Sequence, residues 1–174
     1  MLLLIADAQM QNTTTREPSS PSALMTLGKV HEAIPSDLEV EKSWTELLDR
    51  AAQIRVQAWL QADEIYRRRS FELDDSRRLQ CLENADGLLT DERRHWFNQP
   101  SSLERRMRVE VAWMRYDADT GRFVKAHKHA QQVGQLLDKW MKLKSTTTAP
   151  TWIEPLMIDV VPNAAKALWE AGDV

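Results

Sequence analysis

A chain of 174 residues, 43% hydrophobic and with only five Gly and seven Pro, can bury a real core but is poor in the turn residues that a strand-rich fold needs. A single cysteine, Cys81, excludes an internal disulfide framework and a Cys-based zinc cluster, and makes a reducing, cytoplasmic setting the expectation. The net charge of −3 argues against a uniformly basic nucleic-acid-binding domain.

Met1-Leu2-Leu3-Leu4-Ile5 lacks a basic flank and is too short for a signal peptide or a membrane span. No later stretch reaches span length, so no membrane contact is expected. Residues 1–35 read as a flexible arm. Thr13, Thr14, Thr15, Pro18, Pro21, Gly28 and Pro35 bring little apolar surface to offset the entropy of ordering.

Ser36-Asp37-Leu38-Glu39 fits a capping box, and Val40, Trp44, Leu47, Ala51, Ile54, Ala58 and Ile65 follow at helical steps, with Leu48 beside them. This predicts a long first helix whose stripe needs a partner helix, from the same chain or a second copy. Arg67, Arg68 and Arg69 close it at the negative end of its dipole. Asp74, Asp75 or Ser76 opens a second helix with Leu79, Leu82 and Ala85 inside and Gly87 as its stop. Thr90-Asp91-Glu92 then opens a short third one carrying Trp96 and Phe97.

Ser101-Ser102-Leu103-Glu104 is a second capping box, after Pro100. Leu103, Met107, Val111 and Met114 line the helix that follows, with Ala112 and Trp113 beside them. After the turn Asp117-Ala118-Asp119-Thr120-Gly121 come Phe123, Ala126, Ala130, Val133, Leu137 and Trp140 at helical spacing. So short a connection predicts an antiparallel hairpin. A polar linker follows, and residues 163–171 read as a last short helix with Leu168 and Trp169. The fold class is therefore all-α: an irregular helical bundle with a long N-terminal helix and a central antiparallel hairpin. Residues 36–174 are taken as one domain.

Motifs with chemistry are scarce. Asp117-x-Asp119-x-Gly121 resembles the start of a calcium loop, but glycine comes fifth rather than sixth and the twelfth residue is Lys128. His127 and His129, two apart on a helix, point to nearly opposite sides and cannot share a metal; both read as surface residues. Cys81 reads as a small buried hydrophobe. No nucleotide-binding loop or nucleophile motif is present, so no cofactor, metal or catalytic residue is assigned and no enzymatic activity is inferred.

Charge carries more information. Residues 1–66 hold five basic and ten acidic side chains, residues 67–144 seventeen and twelve, and residues 145–174 one and four. The middle segment is thus basic between acidic flanks. Arg67, Arg68, Arg69, Arg105, Arg106, Lys125 and Lys128 are the candidate nucleic-acid contacts, because cations along helices track phosphates. The competing reading is a solvated face that keeps the chain soluble.

Residues 109–172 resemble the small, or endonuclease, subunit of terminases from temperate contractile-tailed phages. The likeness rests on Trp113-Met114-Arg115-Tyr116-Asp117, the turn to Gly121, Ala126 and Ala130, Pro150, the segment from Ile153, and Ala164, Ala165 and Ala167 before Gly172. It implies an oligomeric protein that recognises phage DNA and recruits a packaging motor, and it carries over no catalytic residue. Gly121-Arg122-Phe123-x-x-Ala126 is also similar to the turn and second helix of tetratricopeptide-like adaptors. Two expectations follow: a nucleic-acid-associated helical adaptor, most specifically a small terminase-like subunit, or a helical scaffold that binds protein, or itself, without nucleic acid.

Overall fold

The computed structural model describes residues 42–69, 75–92 and 99–146, with the single positions 151, 153, 162 and 169. Among these the chain forms four α-helices and no strand: α1 Lys42–Arg69, α2 Asp75–Glu92, α3 Pro100–Asp119 and α4 Phe123–Lys144. The all-α expectation holds. None of these helices is long and apolar enough to cross a membrane. The chain divides into two compact units, Met1–Leu88 and Leu89–Val174. The expected arm, the capping box at Ser36, Trp96, Phe97 and most of the last short helix lie outside the described residues.

In the first unit, Ile54 and Ala58 are buried along α1 as the stripe predicts, and Ala62, one turn further on, is buried with them. Val56 and Asp63, seven apart, are buried on another side, so the middle of α1 is enclosed on more than one face. Ala51 and Ile65 are only half-buried, and the side chains of Trp44, Leu47 and Leu48 lie outside the described residues. α2 buries Arg78, Cys81, Leu82 and Ala85 here, and Leu89, in its last turns and the first residue of the second unit, is buried as well.

Two expectations are corrected in α2. Gly87 does not stop the helix, and Thr90-Asp91-Glu92 ends α2 rather than opening a third helix. An interior glycine costs a helix only about 1 kcal/mol against alanine, and burying Leu89, one turn after Ala85, outweighs that.

In the second unit, α3 and α4 pack as the antiparallel hairpin that the spacing predicts. Val111 and Met114 meet Ala126 and Val133 near the turn, while Leu103 and Met107 meet Trp140 and Ile153 at the open end. α3 also buries Ser102, Arg105, Val109, Ala112 and Tyr116. Their steps of three and four place them on the side opposite the first stripe, so α3 is covered on two faces. α4 is one-sided: Ala126, Val133 and Trp140 are buried, and most of its remaining surface is open.

The start of α3 departs from the expected capping box. Gln99 takes the N-cap position in extended backbone with no side-chain cap, and Pro100 supplies the first turn, where its missing N–H has no partner to lose. The Glu104 carboxylate does not reach back to the cap; it accepts a hydrogen bond from Trp140 Nε1 at 2.9 Å.

Candidate nucleic-acid interface

The hairpin turn is built from backbone bonds. Gly121 sits at φ +74°, a conformation that favours glycine. The Arg122 N–H donates to the Asp117 carbonyl at 2.7 Å and the Gly121 N–H to that of Ala118 at 3.2 Å. Thr120 Oγ1 donates to the Tyr116 carbonyl at 2.8 Å. Together these bonds fix where α4 starts, and hence which of its residues oppose α3.

Glu110, Trp113 and Asp117 share one face of α3 at steps of three and four, and the hairpin sets His129 against all three. His129 Nδ1 lies 2.6 Å from Glu110 Oε2, and Nε2 lies 3.5 Å from Asp117 Oδ2. The imidazole stacks on Trp113 with ring centroids 6.0 Å apart and planes 11° from parallel. Trp113 meets Tyr116 edge-on at 5.9 Å, and the Arg122 guanidinium lies 4.7 Å over the Tyr116 ring.

Arg122 Nε is also 2.8 Å from Asp117 Oδ1, yet its N–H is not directed along that approach. The contact is therefore an ion pair held by charge more than by a directed hydrogen bond. Gln132, with its amide nitrogen turned inward, donates to Glu110 Oε1 at 3.1 Å. His129 was expected at the surface; it instead joins the two helices. Of the two described histidines, His127 keeps to its own helix, 2.9 Å from Gln131.

Asp117 is thus engaged by Arg122 and His129, and among the described residues no group of three acidic, His or Cys side chains could hold a metal ion.

The other side of α4 has a different character. Lys125, Lys128 and Lys142 are exposed, with Gln131 and Gln135 between them and Asp138 as the acid among them. At 1.5 Å per residue the face from Lys125 to Lys142 is roughly 25 Å long. Lys144, one turn past Trp140 on the packed side of α4, holds its ammonium 5.9 Å over the Trp140 ring.

The remaining candidate contacts fare differently. Arg67 Nη1 is 3.5 Å and Arg68 Nε 2.8 Å from the two oxygens of Glu64, so both already share a carboxylate on α1. Arg69 is the last residue of α1. Arg106 is half-buried on α3. Arg105 is wholly buried and presents no surface for a polyanion, because it falls on the second covered face of α3. Arg67, Arg68 and Arg69 belong to the first unit and the other four to the second; Lys125 and Lys128 stand one turn apart on α4. Lys142 and Lys144 were part of the basic tally but not singled out, although their spacing from Lys128 puts Lys142 on nearly the same face.

Compared with known protein families, curated proteins and solved structures, the chain matches none.

Proposed function

We propose that this chain is a helical adaptor that contacts nucleic acid through the outer face of α4. One observation carries the reading. The inner face of α4 is used in packing on α3, while Lys125, Lys128 and Lys142 stand exposed on the outside with Asp138 among them. A rigid helix that displays cations along its length suits a phosphate backbone and gives sequence-independent, salt-dependent affinity. Among the earlier candidates, Lys125 and Lys128 fit this face best, and Arg105 leaves the set. The resemblance over residues 109–172 extends the proposal to a small terminase-like subunit, for which the polyanion would be phage DNA.

The scaffold alternative has less to draw on. Val124 and Leu143 are exposed apolar residues at opposite ends of α4, and single exposed hydrophobics are ordinary on a protein surface. The test is fluorescence anisotropy with a short labelled duplex, comparing the wild type with Lys125→Gln/Lys128→Gln/Lys142→Gln. The proposal expects binding by the wild type and a loss of tenfold or more in the variant, on the order of 1.4 kcal/mol. Equal binding by both would remove α4 as the contact. No binding by the wild type would remove nucleic acid as the partner.

A further inference from the structure

We propose that α4 enters the major groove of duplex DNA and that Gln135 reads a base edge there. The inference rests on the lysine contacts proposed above and concerns what stands between them. Ala126, Val133 and Trp140, seven apart, form the buried stripe of α4 that packs on α3. Lys128, Gln135 and Lys142, also seven apart, are all exposed. Each follows a stripe residue by two positions, which on an α-helix is a rotation of roughly 200°. The three therefore form the crest of the helix, opposite its contact with α3. Gln135 stands midway, about 10 Å along the axis from either lysine.

The middle of this crest is poorly suited to a phosphate backbone. Asp138, one turn past Gln135, is exposed, and its carboxylate repels phosphate; over a groove, away from the strands, that repulsion is weaker. The Gln135 amide brings no charge, but it carries an acceptor oxygen and two donor hydrogens. That set matches the N6 donor and N7 acceptor that adenine shows in the major groove. Of the neighbouring amides, Gln131 lies 2.9 Å from His127 and Gln132 turns inward to Glu110. The dimensions agree. The major groove of B-form DNA is about 12 Å wide and admits an α-helix. Lys128 and Lys142, roughly 21 Å apart along the axis, reach the phosphates on its two sides. The same face disfavours other nucleic acids. None of the exposed residues of α4 is aromatic, so unpaired bases find no ring to stack on, and the major groove of duplex RNA is too narrow for side chains to read.

The test measures binding of the full chain and of its Gln135→Ala variant by fluorescence anisotropy. The probes are short alternating duplexes: A·T DNA, G·C DNA and A·U RNA. The wild type should favour the A·T DNA over the other two by roughly tenfold or more. Gln135→Ala, a change on the exposed crest, should lose the preference between the two DNAs and keep the salt dependence of the wild type. Equal binding of both DNAs by the wild type, with a salt slope near −3, would overturn base reading and leave the lysine contacts standing. A preference that survives in Gln135→Ala, or RNA bound as tightly as A·T DNA, would also overturn it. A wild type that binds none of the three probes removes both readings.

Discussion

Arg78 on α2 donates from Nε to Asp63 Oδ1 on α1 at 2.9 Å, and both side chains are buried. Two helices of the first unit are thus joined by a charge pair held away from water. Removing one partner of such a pair leaves a buried charge uncompensated, so Asp63→Ala should cost about 3–5 kcal/mol in a denaturant titration. Replacing both, as in Asp63→Leu/Arg78→Leu, should recover most of that loss. A double variant as unstable as the single one would show that the pair does more than compensate its own burial.

The same pair gives stability a pH dependence. Burial pushes the Asp63 carboxyl above its ordinary 3.8, against the opposing pull of the Arg78 hydrogen bond and charge. A group whose folded value is raised contributes stability that is fully present below the unfolded value and is lost as pH rises through the folded one. Asp63→Asn, which does not titrate, should lack that decline from about pH 4 upwards. A difference between wild type and variant that grows in the opposite direction would refute the assignment.

Cys81, also buried in the first unit, should be chemically quiet. Burial, helped by the negative Asp63, pushes its thiol up to about 11, and the thiolate is the reactive form. A thiol reagent near neutral pH should label the native chain far more slowly than the denatured one. Rapid native labelling would mean that α2 opens locally or that Cys81 is not enclosed.

Two backbone positions invite an exchange. Gly87 lies inside α2, and a methyl group there would meet nothing within 4 Å. Gly87→Ala should therefore stabilise the chain by up to about 1 kcal/mol. Ser145, just past α4, has φ +50° and left-handed geometry, with Thr146 N–H donating to the Met141 carbonyl. Glycine is the residue such a helix end favours, so Ser145→Gly should stabilise by about 1 kcal/mol. Thermal unfolding of the two variants checks both.

Much of the hairpin was legible in the sequence because both of its halves repeat apolar residues every three or four positions around a short Asp–Gly turn. The stripes of Leu103, Met107, Val111 and Met114 and of Ala126, Val133 and Trp140 are where the spacing put them. Local signals misled where tertiary contacts outweighed them. Gly87 reads as a stop unless Leu89 is known to be buried, and Ser101 reads as a cap unless Pro100 is allowed to start the helix one residue earlier. Arg105 counts as a surface cation until α3 is seen to be covered on two sides.

His129 was hardest to place, because its partners stand twelve and nineteen residues away on another helix. Glu110, Trp113 and Asp117 do share a face at helical spacing, and that was the available signal. It becomes readable only once the hairpin register opposes His129 to them.

The exposed lysines of α4 are tested most directly by the affinity for duplex DNA across a salt series from about 50 mM to about 200 mM. If Lys125, Lys128 and Lys142 each meet a phosphate, the logarithm of the association constant falls linearly with the logarithm of salt with a slope near −3. The Lys125→Gln/Lys128→Gln/Lys142→Gln variant should then have a slope near zero. Binding that is absent, insensitive to salt, or equally steep in the variant would contradict the account.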